Sequence, residues 1–184
     1  IERQAGEIVT SEQDTDVFSM DTVLTPKGST AIQFLDETRV DVTPHSKLVI
    51  DEFVYDPNSK TGALSLKASL GTVRYASGQI AKNSRQNVLI KTPTAVIGVR
   101  GTDFTMTVDE TGNTMVILLP SCTTKGICVV GEISVESDVG IVILNKAFQV
   151  TSVNTRASAP LKPLLLDPTN LIINNLLIIR KPVY

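Results

Sequence analysis

Residues Thr92 to Phe104 read Thr-Pro-Thr-Ala-Val-Ile-Gly-Val-Arg-Gly-Thr-Asp-Phe and run into an alternating Thr105-Met106-Thr107-Val108. This is an apolar stretch broken at Gly98 and Gly101, with Arg100 between the breaks. Glycine reaches positive φ, or lets a neighbouring strand close in, where a Cβ would be expensive. The pattern therefore predicts a bulge or corner inside a sheet rather than an uninterrupted strand. Arg100 carries five donors in a planar fork, suited to carbonyls or a carboxylate where the chain bends. Tying that corner together is the principal expectation for Arg100, and a ligand-facing role is the other. Phe104 opens the alternating run and is expected in the core. Gly98, Arg100, Gly101, Thr102, Asp103 and Phe104 make up the expected structural motif.

The rest of the composition agrees with a β protein. Val, Ile and Thr are frequent, Gly, Pro, Asn and Asp punctuate the chain, and no long helical periodicity is present. A chain of 184 residues suits one domain of ordinary size with extensions. The net charge of −2 gives no electrostatic footprint for nucleic acid. Trp is absent and aromatics make up 4%, which weakens any stacking platform for sugars or bases. The first residue is Ile1, so a processed or internal start is expected, and no run of about 18 apolar residues marks a membrane span.

Alternation locates the strands. Gly6 to Thr10 and Val17 to Leu24 read as strands, and Pro26-Lys27-Gly28 as a turn. Residues 29–34 and 38–42 form a β-hairpin, with Ile32, Phe34, Val40 and Val42 on the core face. Further strands are expected over Lys47 to Tyr55, over Ala63 to Leu70, and beyond the Gly71 break to Tyr75. Gln79 to Arg85 reads as a loop or a single helical turn. Strands resume over residues 87–91, 96–108, 114–119, 129–135, 140–144 and 148–153. Such short, regularly punctuated strands predict an all-β sandwich, roll or solenoid-like stack.

The motif at Arg100 to Phe104, the strand-turn-strand of Thr25 to Leu48, the strand-Gly-strand step of Leu66 to Val73, and Gly131 to Val135 with Val142 to Leu144 together resemble the FecR domain family over roughly residues 5–153. The resemblance implies a FecR-like antiparallel β domain with a binding role and no enzymatic activity. Regulators of that family carry an N-terminal cytoplasmic segment that contacts a sigma factor, and a single membrane helix. This sequence shows neither, and it places a cysteine-bearing insertion at residues 120–128.

Cys122 and Cys128 flank a Gly-bearing turn and are expected to close a disulfide across a hairpin, with a modest gain because the loop is short. An oxidised pair favours a periplasmic, cell-surface or virion setting. A metal site would need more ligands than two cysteines and His45 supply. His45 lies in a turn, the carboxylates of Asp36/Glu37, Asp51/Glu52 and Asp109/Glu110 read as solvated turn residues, and no phosphate loop follows Gly98 and Gly101. The Asp56–Ser59 and Asp109–Asn113 loops offer oxygen ligands without EF-hand spacing. The expectation is a non-enzyme with no cofactor.

From Asn154 the character changes. Residues 154–163 have a proline-containing linker composition, and the apolar residues Leu171, Ile172, Ile173, Leu176, Leu177, Ile178 and Ile179 form an arm too short to own a core. The expected organisation is a β domain over 1–153 and a linker with C-terminal arm over 154–184. The arm is expected to dock on protein subunits, by adding a strand to an exposed edge, with folding back on its own domain as the alternative. The leading functional expectation is a structural protein in an oligomeric assembly such as a phage virion. The alternative is a periplasmic or cell-surface ligand-sensing domain of a FecR-type signalling regulator.

Overall fold

A computed structural model describes residues 1–84, 86–122 and 126–167. Nearly all regular structure is β: β1 (Thr22–Thr25), β2 (Thr30–Gln33), β3 (Arg39–Val42), β4 (Ser46–Asp56), β5 (Thr61–Ala76), β6 (Val88–Lys91), β7 (Val96–Arg100), β8 (Asp103–Val108), β9 (Thr114–Leu119), β10 (Ser121–Cys122), β11 (Cys128–Val129), β12 (Glu132–Ser137), β13 (Gly140–Leu144), β14 (Gln149–Val153) and β15 (Leu164–Leu165). One short helix, α1 (Gln79–Asn83), forms where a loop or a single helical turn is expected. The expected strand at Gly6 to Thr10 is reduced to a bridge between Glu2 and Ile8.

The long strand β5, 16 residues, organises the molecule. Its first part, up to Leu70, pairs antiparallel with β4 and parallel with β6. Its second part, Gly71 to Ala76, pairs antiparallel with β3 and β8. Two branches diverge from it, one running β1-β4-β5-β6-β7-β12-β13 and the other β2-β3-β5-β8-β9-β14-β15. The result is a curled 13-stranded sheet whose inner faces meet in one apolar cluster, from Leu48, Leu66, Ile97 and Val135 on one branch to Val42, Tyr75, Phe104 and Leu118 on the other. The pair β5–β6 departs from the antiparallel expectation, and the connection between them carries α1.

The bend in β5 has a local cause. Gly71 has φ +88°, and a Cβ there would lie 2.0 Å from Ser46 Oγ and 2.6 Å from Ser46 Cα. The ladder with β4 slips at the same place, where Lys47 faces Leu70 but Leu48 faces Ala68, so β5 carries an extra residue and turns. Ser46 Oγ accepts from Thr72 N–H at 3.1 Å and secures the bend. The sequence break at Gly71 is thus a kink inside one strand.

The hairpin β2–β3 matches its expected register, pairing Ile32 with Val40 and Gln33 with Arg39, with Ile32, Val40 and Val42 buried. Its turn does more than reverse the chain. Asp36 is fully buried; its carboxylate accepts from Thr38 N–H (3.1 Å), Thr38 hydroxyl (2.8 Å) and, from α1, Ile80 N–H (3.2 Å). Gln79 N–H donates to Asp36 carbonyl O at 2.7 Å. A residue expected to be solvated therefore caps a helix 44 positions away, at a helix start where Gly78 supplies no side chain. Asp36→Asn replaces one acceptor oxygen by a donor and is expected to cost about 1–3 kcal/mol in urea unfolding.

Residues 155–166 run along the body. Arg156 Nε donates to Pro93 O at 2.9 Å, Leu161 N–H to Ser152 O at 2.9 Å, Thr151 hydroxyl to Leu161 O at 2.7 Å, and Leu166 N–H to Phe148 O at 3.0 Å. The linker composition corresponds here to an extended strap that ends by pairing β15 with β14. No described helix is long and apolar enough to cross a membrane.

Candidate functional site

The motif residues sit where the chain passes from one branch to the other. Strand β7 ends in the first branch, paired with β6 and β12, and β8 begins in the second, paired with β5 and β9. Gly101 and Thr102 make the crossing, Gly101 at φ +64°. A corner is therefore present at Gly101, where it joins the two halves of the core, while β7 continues unbroken through Gly98.

Each motif side chain has a distinct position. Gly98 lies on the outer face of β7 between Leu89 and Ser134, where a Cβ would stand 2.6 Å from Ser134 Oγ. Arg100 reaches Glu132 Oε1 across the β7–β12 ladder at 2.5 Å. Its side chain is 47% exposed, so Arg100→Ala is expected to change stability by less than about 1 kcal/mol in thermal unfolding. Thr102 is fully buried: its N–H donates to Ser77 Oγ at 2.9 Å, Ser77 Oγ donates back to Thr102 O at 2.7 Å, and Thr102 Oγ1 accepts from Gly131 N–H at 3.2 Å. Asp103, also buried, pairs with Arg74 at 3.5 Å and accepts from Ser121 hydroxyl at 2.7 Å. Phe104 is wholly buried and stacks on Tyr75, ring centroids 5.3 Å apart.

Several partners carried no local sequence signal. Gly131 packs on the corner so closely that a Cβ would lie 2.3 Å from Gly101 O. Ser77 and Arg74 come from the far end of β5 and its exit, and Ser121 from β10. The Tyr75 hydroxyl is buried among these groups, near Thr38 and Ser77. Burial first, and then the charges of Asp36 and Asp103, push its pKa up, against the opposing effect of the two hydroxyls. Tyr75 remains a neutral phenol throughout the working pH range, and the cluster fastens the corner.

Cys122 and Cys128 face each other in the β10–β11 register and are joined in a disulfide, Cα atoms 4.0 Å apart. This two-stranded sheet is separate from the main one, and Ile127, Val129 and Val130 on it are exposed. An isolated two-stranded ribbon is marginal in water, so the covalent link holds it. Replacing both cysteines by serine is expected to release amide protection in the ribbon while costing at most about 2 kcal/mol globally, measured by hydrogen exchange and urea unfolding.

The remaining groups are arranged for structure. Asp51 accepts from Lys67, from Ser65 and from Lys91 on the outer face of the first branch. The hydrogen bond from Lys67, against partial desolvation, holds its carboxyl below the usual range. That contribution is present above the unfolded-state pKa and is lost as pH falls through the lower folded value. Asp56 and Asp109 accept from their own loops, Asp56 from Asn58 N–H and Ser59 hydroxyl, Asp109 from Thr111 and Asn113. His45 sits in its expected turn with φ +58°. Among the described residues no cluster of three or more His, Cys, Asp and Glu could hold a metal ion. A shallow cleft of about 190 Å³ opens between Thr94–Val96, Glu136–Asp138 and Arg156. The arm residues Leu171, Ile172, Ile173, Leu176, Leu177, Ile178 and Ile179 lie outside the described residues.

Comparison with known proteins bears on this framework. The family model described as FecR protein matches residues 21–120. No curated protein matches. Two crystal structures of a protein described as a "putative anti-sigma factor" from Parabacteroides distasonis ATCC 8503, at 1.65 and 2.50 Å resolution, share the fold with TM-scores of 0.60 and 0.58. Identities are 13% and 12%, and each comparison covers 83% of this chain and 63% of the other. The chain thus spans under two thirds of the length of these neighbours.

The expectation of a phage virion component is overturned by these findings, which favour the alternative of a signalling-regulator domain. It rested on a processed-looking start, the lack of a membrane helix in the sequence, and an apolar tail. None of these is peculiar to an assembling particle, and an apolar β-prone segment seeks any open sheet edge. The matched region spans β1 to the end of β9 and so includes the kinked β5, the Asp36 turn and the Gly101 corner: the chain belongs to the FecR protein family.

Proposed function

We propose that this chain is the extracytoplasmic, ligand-sensing β domain of a FecR-type signalling regulator, working by protein–protein contact and not by catalysis. The observation that carries the reading is the family match over residues 21–120, which contains the kinked β5 and the Gly101 corner. The anti-sigma description of the Parabacteroides neighbours supports it, as does the disulfide, which persists in oxidising compartments. The motif residues serve here as the scaffold's joint: Thr102, Asp103 and Phe104 are inside, and only Arg100 is presented outward. Exposed apolar side chains on the ribbon (Ile127, Val129) and on the outer face of β13 (Ile141, Ile143) provide contact surface for a protein partner.

The complete reading frame is expected to encode one membrane-spanning segment N-terminal to this domain, and protein isolated from its native host is expected to show no free thiol at Cys122 and Cys128. A full-length product without such a segment, found reduced in the cytosol, would contradict the proposal.

A further inference from the structure

Edge strands in this fold are unequally guarded. At one end of the first branch, β1 carries a bridge from Glu2 to Thr22 along its outer side. The second branch ends in β2, four residues that begin and end on the polar Thr30 and Gln33, and in β15, which is only two residues long. Strand β13 differs. It terminates the first branch, pairs with β12 alone among the described residues, and reads Gly-Ile-Val-Ile-Leu, with no charge, proline or bulge to discourage a further strand. Ile141 and Ile143 stand exposed on its outer face at 57% and 39%. The strap passes over the face of this strand at Gly140, where a Cβ would meet Ala159 Cβ at 3.1 Å and Pro160 Cδ at 3.5 Å.

The path of the described chain leads toward the open end of that edge. Leu166 N–H bonds Phe148 O, and Phe148 follows the last residue of β13, Leu144, by four positions. Four steps of chain reach at most about 14 Å, and the five steps from Leu166 to Leu171 reach about 17 Å. A chain arriving at Leu144 and continuing toward Gly140 runs antiparallel to β13. The first apolar group it brings is Leu171-Ile172-Ile173, followed in sequence by Asn174-Asn175.

We infer that the outer edge of β13 is a strand-docking site, and that its occupant is the segment beginning Leu171-Ile172-Ile173 of the same chain. Backbone hydrogen bonds supply the affinity, and the exposed row of Ile141 and Ile143 is lengthened by the apolar side chains of the incoming segment. The inference stands independently of the signalling reading, since it concerns how this chain covers its own edge.

Hydrogen exchange read by mass spectrometry tests it on the full chain. Proline cannot donate to a ladder, so the double variant Ile172→Pro/Ile173→Pro removes the docking while leaving every residue of the main sheet in place. Peptides covering residues 139–144 are expected to exchange at least about tenfold faster in the variant, a tenfold change corresponding to about 1.4 kcal/mol of opening free energy. Peptides covering β8 and β9 are expected to be unchanged, which reports an intact fold. Equal exchange over 139–144 in the two proteins would overturn the inference. Protection that appears only as light scattering shows a dimer forming would assign the segment to a second copy and overturn the same-chain occupant.

Discussion

Gly71→Ala is expected to lower stability by about 3–5 kcal/mol, combining the cost of a left-handed conformation for a residue with Cβ and the cost of overpacking. The collision is with backbone and cannot be relieved by a rotamer change, because Ser46 Cα would stand 2.6 Å from the new atom. Relaxation would have to move β4 away from β5, and that motion undoes the kink that lets one strand serve both branches. In a chain of this size a loss of 1 kcal/mol lowers Tm by about 2–4 °C, so a fall of roughly 6–20 °C should be seen by calorimetry. Gly28→Ala is the control: no atom lies within 4 Å of its Cβ, and a change within about 0.5 kcal/mol is expected. A Gly71→Ala protein as stable as that control would mean that the bend does not depend on the close approach to Ser46.

Phe104→Ala should cost about 3–5 kcal/mol, the usual range for emptying a large aromatic site in a packed core. The effect should exceed that of an ordinary apolar deletion because Phe104 is the first apolar residue past the corner to enter the core and is stacked on Tyr75 of β5. Its loss therefore loosens the contact between the crossing and the kinked strand. Phe104→Leu keeps most of the buried apolar surface and is expected to recover more than half of the loss in urea unfolding. Equal losses for the two variants would indicate that ring stacking rather than apolar burial governs the site.

The parts of this fold legible in the sequence are those set by local periodicity. Ile32, Phe34, Val40 and Val42 alternate within two short runs, and the core takes all four. Of the two glycines that announced breaks, Gly101 marks where the chain changes branches, while β7 runs straight through Gly98, whose missing side chain makes room for Ser134. What stayed hidden depends on residues far apart in sequence. Asp36 beside Glu37 looks like a solvated turn until α1 is laid over it and Ile80 N–H needs an acceptor. Asp51 likewise joins lysines from β5 and β6, 16 and 40 positions away. Arg100 was expected to satisfy carbonyls or a carboxylate at the bend. It finds Glu132 on β12, and the partner's identity follows from a ladder that no local pattern specifies. Gly131 gave no sign of its role, because the atom it makes room for is the carbonyl of Gly101.

One continuous strand shared by two branches should make the domain a single cooperative unit. Residue-resolved native-state hydrogen exchange across β5 tests this most directly. Slowly exchanging amides before Gly71, over residues 64–68, and after it, over residues 72–75, should open with the same free energy and the same denaturant dependence, equal to those of global unfolding. Two distinct opening free energies, with one side of Gly71 exchanging while the other stays closed, would show that the branches fold as separate units and would contradict the account.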